Sequence, residues 1–437
     1  MTPMIDRIRD EAQRRSSSIV SSLQEYIATG GQGEDAVQNL FSRNANALGC
    51  AVAAHEYNPA DVKMIEEFAG EAAIDPQPRS SVVAHYKGNG SGRSLILFAH
   101  PDGEPVAGID RWKYDPFKGA IEGDRLYGWG VADDLSGIAA GLQALDLLLS
   151  LGLQPAGDVF IASTPSKRHA RGVSHLLQNG LLADAAVYLH PAESGVGMKE
   201  IKAFTSGQVE FRIVVDGRQP PTTEPLQTAF AHLGINAIDK AFIIWRALTE
   251  LNARRMQTVS HPRLEAQVNR STNLMMSSIS AGDPKRLSRL AQQCTLGAAL
   301  AFPPPETLSQ VCLAIEQTVA DAANADEWLR ANPPKIIWDS GVTGAEVDAD
   351  HPLVAAARSS VLAVSGQEPW INPMHTGSDI RNPIVQKGVP TIGLGPLCGD
   401  LSQNGGTDEW VSADDHVRFV AATAAIIAQW CGCSPSS

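Results

Sequence analysis

The chain has 437 residues, of which 43% are hydrophobic and 19% are charged. This is an ordinary globular balance, and the length exceeds that of one domain, so we expect two or three. The formal net charge of −13 argues against nucleic acid or an anionic membrane surface as a partner.

The location of the protein is predicted from its termini and its cysteines. Residues 1–15 are charged and lack the apolar core of a secretion signal. No apolar run reaches the ~18 residues of a spanning helix, so we expect no membrane association. The six cysteines are scattered and form no metal-binding spacing, which indicates reduced thiols. We therefore predict a cytoplasmic protein.

The first two hundred residues alternate helical and strand patterns. Two helices are predicted over residues 5–50 with a break at Gly30-Gly31, and a further helix over 134–151. An edge strand is predicted over 81–86. Continuous apolar runs, which suit strands buried on both faces, cover three segments: 94–99, 158–163 and 185–189. This order predicts an α/β sheet with helices on its faces.

The pattern changes near Ser206. A half-exposed strand (208–215), a helix (234–251), a strand (294–302) and a helix (307–322) follow one another, as in an inserted α+β module. The α/β pattern resumes with helix 352–365, strand 391–394 and helix 414–430. The predicted organisation has three parts: a catalytic domain over 1–206 and 334–437, and an inserted domain over 207–333.

Polar residues follow the buried strand 94–99. His100 stands at its carboxyl end, where α/β folds build sites, and Asp102 can fix the tautomer of that imidazole. A glycine-rich turn then brings Asp133 and Asp134 to the start of an apolar helix. These two acids could instead serve only as caps of that helix.

Order and spacing carry a family resemblance. The motif His100-x-Asp102-x-x-Pro105, the turn Gly128-Trp129-Gly130 with Asp133, and the late segments His375–Asp379 and Asp408-Glu409-Trp410 resemble the M20 metallopeptidases, the acetylornithine deacetylase-like family. The resemblance implies an α/β catalytic domain with a mixed central sheet and an inserted α+β lid that dimerises. It also implies hydrolysis of an amide or other C–N bond in a small carboxylate-bearing substrate, without nucleic acid or membrane partners.

The resemblance assigns metal ligands residue by residue. His100 matches the first-metal histidine, Asp133 the bridging aspartate and His190 the remaining first-metal ligand, while Asp102 matches the acid that orients His100. A His-Asp-His set with an open position suits a catalytic ion. We expect one divalent ion per chain, zinc or manganese.

Half of the family's two-metal centre is replaced. Lys167-Arg168 stands where the family has a Glu-Glu pair, and Gly405 where it has its last metal-binding histidine. In the lid, Pro221 and Ala301 replace a histidine and an arginine. We therefore expect no second metal, with the Arg168 guanidinium in its place. Lys167, if neutralised by Arg168, or His169 would carry the proton to the leaving nitrogen.

The closing segments supply candidate substrate contacts. Arg381 has the planar fork that holds a carboxylate, although it could also simply pair with Asp379. His375, Asp379 and Glu409 are the other substrate-binding candidates.

Three functional hypotheses remain open. The first is a one-metal amide hydrolase. The second is hydrolytic deamination of an activated aromatic amine, similar to the nitroanthranilate aminohydrolase branch. The third is a pseudoenzyme that binds a metabolite or a paralogue. The intact first-metal set favours an enzyme, and the family implies a homodimer.

Overall fold

A computed structural model describes residues 2–106, 108–192, 194–399 and 406–435. The chain divides into two compact units. The first comprises Met1–Met64, Ala72–Phe204 and Glu346–Ser437. The second comprises Ile65–Glu71 and Thr205–Ala345. Helices and strands are numbered along the whole chain.

The first unit contains most of the secondary structure. Its helices are α1 (Thr2–Arg14), α2 (Ser16–Gly30), α3 (Glu34–Ala47), α4 (Ser136–Ser150), α5 (Gly172–Gln178), α10 (Pro352–Ser365), α11 (Arg381–Lys387) and α12 (Ala413–Cys431). Its strands are β1 (Ala51–Tyr57), β3 (Arg79–Tyr86), β4 (Leu95–Ala99), β5 (Ala120–Glu122), β6 (Arg125–Tyr127), β7 (Leu153–Pro155), β8 (Val159–Ser163), β9 (Ala185–Tyr188), β10 (Glu200–Ile201), β17 (Trp370–Ile371), β18 (Thr391–Gly393), β19 (Trp410–Ser412) and β20 (Cys433–Pro435).

A six-stranded mixed sheet in the order β1-β3-β8-β4-β9-β18 forms the centre of this unit. The last four of these strands run parallel to one another, whereas β1 and β3 are antiparallel to their neighbours. The predicted sheet is thereby confirmed. The prediction of an edge strand at 81–86 is wrong, because β1 pairs with the outer side of β3 and takes the edge position.

Both faces of the sheet are covered by apolar side chains. In β4, Leu95 and Leu97 face a core shared with α4 and α12, while Ile96 and Phe98 face a core shared with α5. A strand buried on both faces needs a continuous apolar sequence rather than an alternating one. This explains the run over residues 94–99, and it fixes the carboxyl end of β4 as the place where polar residues begin.

The second unit is an α+β module. Its helices are α6 (Ala237–Thr258), α7 (Pro262–Val268), α8 (Leu308–Asn324) and α9 (Glu327–Ala331). Its antiparallel sheet has the order β13-β14-β12-β15-β2, formed by β13 (Asn273–Ala281), β14 (Gln293–Phe302), β12 (Gly207–Asp216), β15 (Lys335–Val342) and β2 (Glu67–Ala69). Two short strands, β11 (Phe204–Thr205) and β16 (Ala345–Glu346), lie at the junctions of the chain between the units. Residues of β12 alternate between buried and more exposed positions, as predicted.

The unit boundaries differ from those expected at 206/207 and 333/334. Strand β15 falls in the second unit because it pairs along its length with β12, and β2 joins the same sheet through β15. Near the N-terminus, the chain forms three helices rather than two, with an extra break at Arg15. No helix in the described ranges combines the length and apolar character needed to cross a membrane.

Candidate metal centre

Three neighbouring parallel strands deliver polar residues to one edge of the central sheet. His100 follows β4 directly, Lys167 follows β8, and His190 follows β9. Because β8, β4 and β9 are adjacent and parallel, their carboxyl ends meet at the same edge. This is the edge at which open α/β sheets bind ligands.

Asp133 arrives from a turn that precedes α4. The turn spans Val131–Leu135, and Gly130 before it has a φ of 67°, a left-handed conformation that glycine adopts freely. The carboxylate of Glu409 accepts hydrogen bonds from the backbone N–H groups of Gly130 (2.9 Å), Ala132 (2.7 Å) and Asp133 (3.1 Å). Glu409 therefore holds the turn that presents Asp133, a role different from the substrate contact expected for it.

The two histidines and Asp133 converge on one point. The Nε2 atom of His100 lies 2.8 Å from Asp133 Oδ1, and the Nε2 atom of His190 lies 3.0 Å from the same oxygen. All three side chains are buried. Their potential ligand atoms lie within 4.8 Å of one another, as the ligands of a single ion must.

Backbone carbonyls orient both imidazoles. His100 Nδ1 lies 2.7 Å from the carbonyl oxygen of Asp102, and His190 Nδ1 lies 2.8 Å from that of Pro191. A carbonyl only accepts, so each Nδ1 donates and leaves the Nε2 lone pair for a metal, the usual arrangement of histidine ligands. The Lys202 Nζ atom also lies 2.9 Å from His190 Nδ1, but an ammonium only donates, so this contact is not a hydrogen bond while Nδ1 donates to Pro191. In donor chemistry and orientation, the set fits a divalent ion.

Lys167 contacts the other oxygen of Asp133. Its Nζ atom lies 2.5 Å from Asp133 Oδ2, and its side chain is 16% exposed. Burial alone would lower the pKa of Lys167, but the charge of Asp133 and the hydrogen bond to it raise that pKa above its ordinary value. The expectation of a neutral Lys167 crowded by Arg168 is therefore wrong, since Asp133 holds the lysine protonated.

Arg168 points away from Asp133. Its backbone has a φ of 55°, a left-handed conformation that turns the side chain out of the site. The guanidinium lies 3.6 Å from Asp75, and the side chain is 50% exposed. The structure thus corrects the prediction that Arg168 occupies the second-metal position. His169, in the same turn with a φ of 53°, is partly buried, and its proposed proton transfer stays a prediction.

Asp102 supports both sides of the centre. Its carboxylate accepts from the backbone N–H groups of Ser166 (2.9 Å) and Lys167 (2.8 Å), and it pairs with Arg79 at 2.8 Å. Arg79 pairs in turn with Glu34 at 2.5 Å. Burial would raise the pKa of Asp102, but the hydrogen bond and charge of His100, with Arg79, lower it. The pKa of Glu34 is raised to about 7 by burial and by the charge of Asp102.

The charge of Asp133 organises its neighbours. Burial would raise its pKa, but His100, His190 and Lys167 together hold it well below its usual range. The pKa of the adjacent Asp134 is raised well above its ordinary value by burial. The pKa of Glu409 is raised to about 7 by burial and the charge of Asp133, although its three backbone hydrogen bonds oppose this.

The candidates from the segment 375–381 are engaged within the first unit. His375 Nε2 lies 2.6 Å from a carboxylate oxygen of the fully buried Glu200. Asp379 accepts from the Ser166 hydroxyl at 2.5 Å, which places it one residue from Lys167. Arg381 donates to the carbonyl of Gly377 at 2.8 Å and lies 3.6 Å from Asp379. The structure thus brings Asp379 to the site, and substrate contacts by His375, Asp379 and Arg381 stay predictions.

Sequence reasoning missed three buried charged residues: Arg79, which pairs with Asp102, Lys202, which contacts His190, and Glu200, which contacts His375. The segment 198–204 mixes charged and apolar residues, so no sequence signal indicates that Glu200 and Lys202 are buried. Arg79 gave no such signal either. Gly405, where the family histidine was expected, lies outside the described residues.

Comparison with known proteins agrees with this geometry. The model of peptidase family M20/M25/M40 matches residues 96–429. An N-formyl-4-amino-5-aminomethyl-2-methylpyrimidine deformylase of Bacillus subtilis (strain 168) is 24% identical over 407 residues, which cover 91% of this chain and 89% of that protein. Carboxypeptidase G2 of Pseudomonas sp. (strain RS-16) is 30% identical over 163 residues, covering 37% of this chain and 36% of that protein.

Solved structures share the fold at low sequence identity. A tripeptidase of Staphylococcus aureus has a TM-score of 0.67 at 17% identity, covering 94% of this chain and 97% of that one. Human carnosine dipeptidase 1 has a TM-score of 0.63 at 13% identity, covering 98% and 99%. With the family match extending over most of the chain and the site at the expected strand ends, this protein belongs to peptidase family M20/M25/M40.

Proposed function

We propose that this member of the family cleaves the amide bond of a small N-acylated compound with one divalent ion, zinc or manganese, bound by His100, Asp133 and His190. Family membership makes the chain a metal-dependent hydrolase of C–N bonds. The observation that carries the finer proposal is the convergence of two carbonyl-oriented imidazoles on one oxygen of Asp133.

The residues around the proposed ligands have separate roles in catalysis and in positioning. A divalent ion in this set supplies Lewis acidity to the amide carbonyl and activates water. Lys167, which is held as an ammonium beside Asp133, has further N–H donors for negative charge that develops on the carbonyl oxygen. Asp102 holds the backbone of Lys167 in place, and Glu409 holds the turn of Asp133.

The relatives support a proposal for the substrate class. Two deformylases that align over most of their length are named for an N-formyl group on an aminomethylpyrimidine. We propose a small N-acyl amine, with N-formyl compounds as the first to test. Arg381 is the candidate contact for a substrate carboxylate, and His375 and Asp379 are candidate polar contacts beside it.

Hydrolytic deamination of an activated aromatic amine is the second candidate. The observation that favours it is the buried ammonium of Lys167 at a place where this family has a carboxylate base. A cation there suits an anionic ring intermediate. The products separate the two reactions, because deamination releases ammonia, whereas amide hydrolysis releases a carboxylic acid and an amine.

The test combines metal content with product analysis. Protein purified without added metal is reconstituted with zinc or manganese and assayed on N-formyl and N-acyl amines and on nitro-substituted aminobenzoates. We expect metal-dependent amide hydrolysis that His190→Ala abolishes together with metal binding. His85→Ala, which removes a partly exposed histidine paired with Asp158, is the matched control and should keep both. Metal binding without turnover of any compound would favour the pseudoenzyme hypothesis, and retention of metal and activity by His190→Ala would refute the assigned ligands.

We further propose a homodimer formed through the second unit. Strand β13 is the terminal strand of its sheet, and apolar side chains are exposed on it (Met275 and Ile279) and on α6 (Phe242). Exposed strand edges and apolar patches are typical of contact surfaces. Sedimentation at micromolar concentration should give a dimer, and Phe242→Glu with Ile279→Glu should give a monomer. A monomeric native chain would refute this. The cytoplasm remains the proposed location, based on the scattered cysteines.

A further inference from the structure

We infer that the ammonium of Lys167 is the second cation of this centre, occupying the free oxygen of Asp133 in place of a second metal ion. The inference rests on the proposed metal site and explains why that site holds a single ion. It concerns a side chain of this protein that stands where the family has a metal-centre carboxylate.

The two oxygens of Asp133 are divided between two kinds of partner. Oδ1 faces the Nε2 atoms of His100 and His190 at 2.8 and 3.0 Å. Oδ2 is 2.5 Å from the Nζ atom of Lys167. An ion bound to Oδ2 would stand about 2.0–2.2 Å from it, on an oxygen that the ammonium already contacts. The space beside Oδ2 is therefore filled by a group that already carries a positive charge.

Lys167 is built into the site. Asp102 accepts hydrogen bonds from the backbone N–H groups of Ser166 and Lys167 through its carboxylate, and its carbonyl oxygen orients His100. Arg79 holds the same carboxylate from the other side. Asp102 thus positions both His100, which faces Oδ1 of Asp133, and Lys167, which contacts Oδ2 of Asp133.

The nearby carboxylates are already engaged. Asp379 accepts from Ser166 and from the side-chain amide of Asn382, and Glu409 accepts three backbone hydrogen bonds. Over the described part of the chain, the set His100, Asp133 and His190 is the one group of three or more side chains placed to hold an ion. The described residues thus offer a second ion no ligand set of its own, and they offer Asp133 a cation that cannot dissociate.

The experiment counts ions and measures their affinity by calorimetric titration of metal-free protein with Mn²⁺ and with Zn²⁺, checked by elemental analysis. The native chain should bind one ion. Lys167→Met should bind that ion at least ~10-fold more tightly, the scale on which groups contacting metal ligands act, because Asp133 no longer shares its charge. Lys167→Arg keeps a cation and should bind one ion with an affinity within about threefold of native. Lys167→Glu should admit a second, weakly bound ion.

Arg168→Met is the matched control, since it removes a cation from the adjacent residue that pairs with Asp75. Its ion count and affinity should equal the native values. Two tightly bound ions in the native chain would overturn the inference, as would native affinity in Lys167→Met. If Lys167→Met fails to fold, a changed ion count in Lys167→Arg would overturn it equally. A native protein that binds one ion but cleaves no amide would refute the proposed function and leave this inference standing.

Discussion

Each unit of the molecule contains a buried network of charges, and the two networks are built differently. In the second unit, the guanidinium of Arg255 makes two parallel hydrogen bonds of 2.8 and 2.6 Å to Glu306 and contacts the hydroxyl of Thr272. In the first unit, His100, His190 and Lys167 all converge on the carboxylate of Asp133. The carboxylate has one cation as its partner in the first case, and one cation and two imidazoles in the second.

The difference separates a structural pair from a reactive site. Two parallel hydrogen bonds between a guanidinium and a carboxylate satisfy both groups and leave nothing to bind a ligand. Around Asp133, one carboxylate oxygen pairs with the Lys167 ammonium and the other faces two imidazole nitrogens. Two nitrogens that face one carboxylate oxygen form the ligand set that we propose for a metal. The arrangement of the partners around a buried carboxylate therefore distinguishes a structural pair from a ligand site better than burial does.

The largest effect is expected from breaking the structural pair. Arg255→Met should lower the free energy of unfolding by about 3 kcal/mol, because it leaves Glu306 without its cation. This is the lower end of the range for buried pairs, since Glu306 is 23% exposed and keeps some contact with water. Urea denaturation followed by circular dichroism measures the change, and metal affinity should not move.

The double variant Arg255→Met with Glu306→Leu provides the control for that prediction. Removing both charges should recover most of the lost stability, because no unpaired charge remains. If Arg255→Met instead weakened metal binding as strongly as it weakened folding, the separation of the two networks into a structural one and a reactive one would be wrong.

Removing one donor from the reactive network should affect turnover more than folding. Lys167→Met, reconstituted with metal, should lower kcat at least ~10²-fold, the scale for losing one preorganised stabiliser of developing negative charge. KM should change less, and Lys167→Arg should recover part of the rate. Steady-state kinetics on the substrate found in the screen measures this. An unchanged kcat would show that the ammonium only fills space.

His416 is a third case for this comparison, a buried titratable group whose hydrogen-bond partner is uncharged. His416 on α12 is fully buried, its Nε2 lies 3.2 Å from Gln143 Oε1, and burial lowers its pKa to about 3. Since the folded pKa lies below the ordinary 6.5, the associated stability is present above pH 6.5 and is lost as the pH falls toward 3. Between pH 7 and 5 the loss should reach about 2 kcal/mol.

His416→Gln removes this titration while keeping a polar side chain for Gln143. The variant should be less stable than native at pH 7, but its stability should fall by about 2 kcal/mol less on going to pH 5. Denaturant unfolding of metal-free protein at both pH values tests this. Parallel losses in the two proteins would assign the acid sensitivity to other groups.

Sequence reasoning reached the parts of the site that local patterns control. The apolar runs that become β4 and β9 placed His100 and His190 at strand ends, and the glycine turn placed Asp133 before α4. The fold class and the family followed from the same segments. Short-range signals suffice here, because a strand buried on both faces and a glycine at positive φ each restrict which residues fit.

The features that the sequence did not predict depend on backbone dihedral angles and on contacts between distant parts of the chain. Lys167 and Arg168 are neighbours of like charge, and only the left-handed φ of Arg168 decides that the lysine faces Asp133 and the arginine faces Asp75. Strand β15 belongs with β12 through pairing over more than a hundred residues. Neither the sign of a φ angle nor a long-range strand pairing is encoded in charge or hydropathy patterns.

The hydrogen bonds of Glu409 have a consequence for biosynthesis. Glu409 lies 276 positions after Asp133 in the sequence and holds its turn. Strand β19, which directly follows Glu409, pairs with β6. The strands that carry His100 and His190 leave the ribosome long before residue 409 does. During synthesis, the nascent chain can therefore present its two histidines but cannot fix the aspartate between them. The proposed ligand set can therefore assemble fully only after residue 409 has been synthesised, when the fold that surrounds it can close.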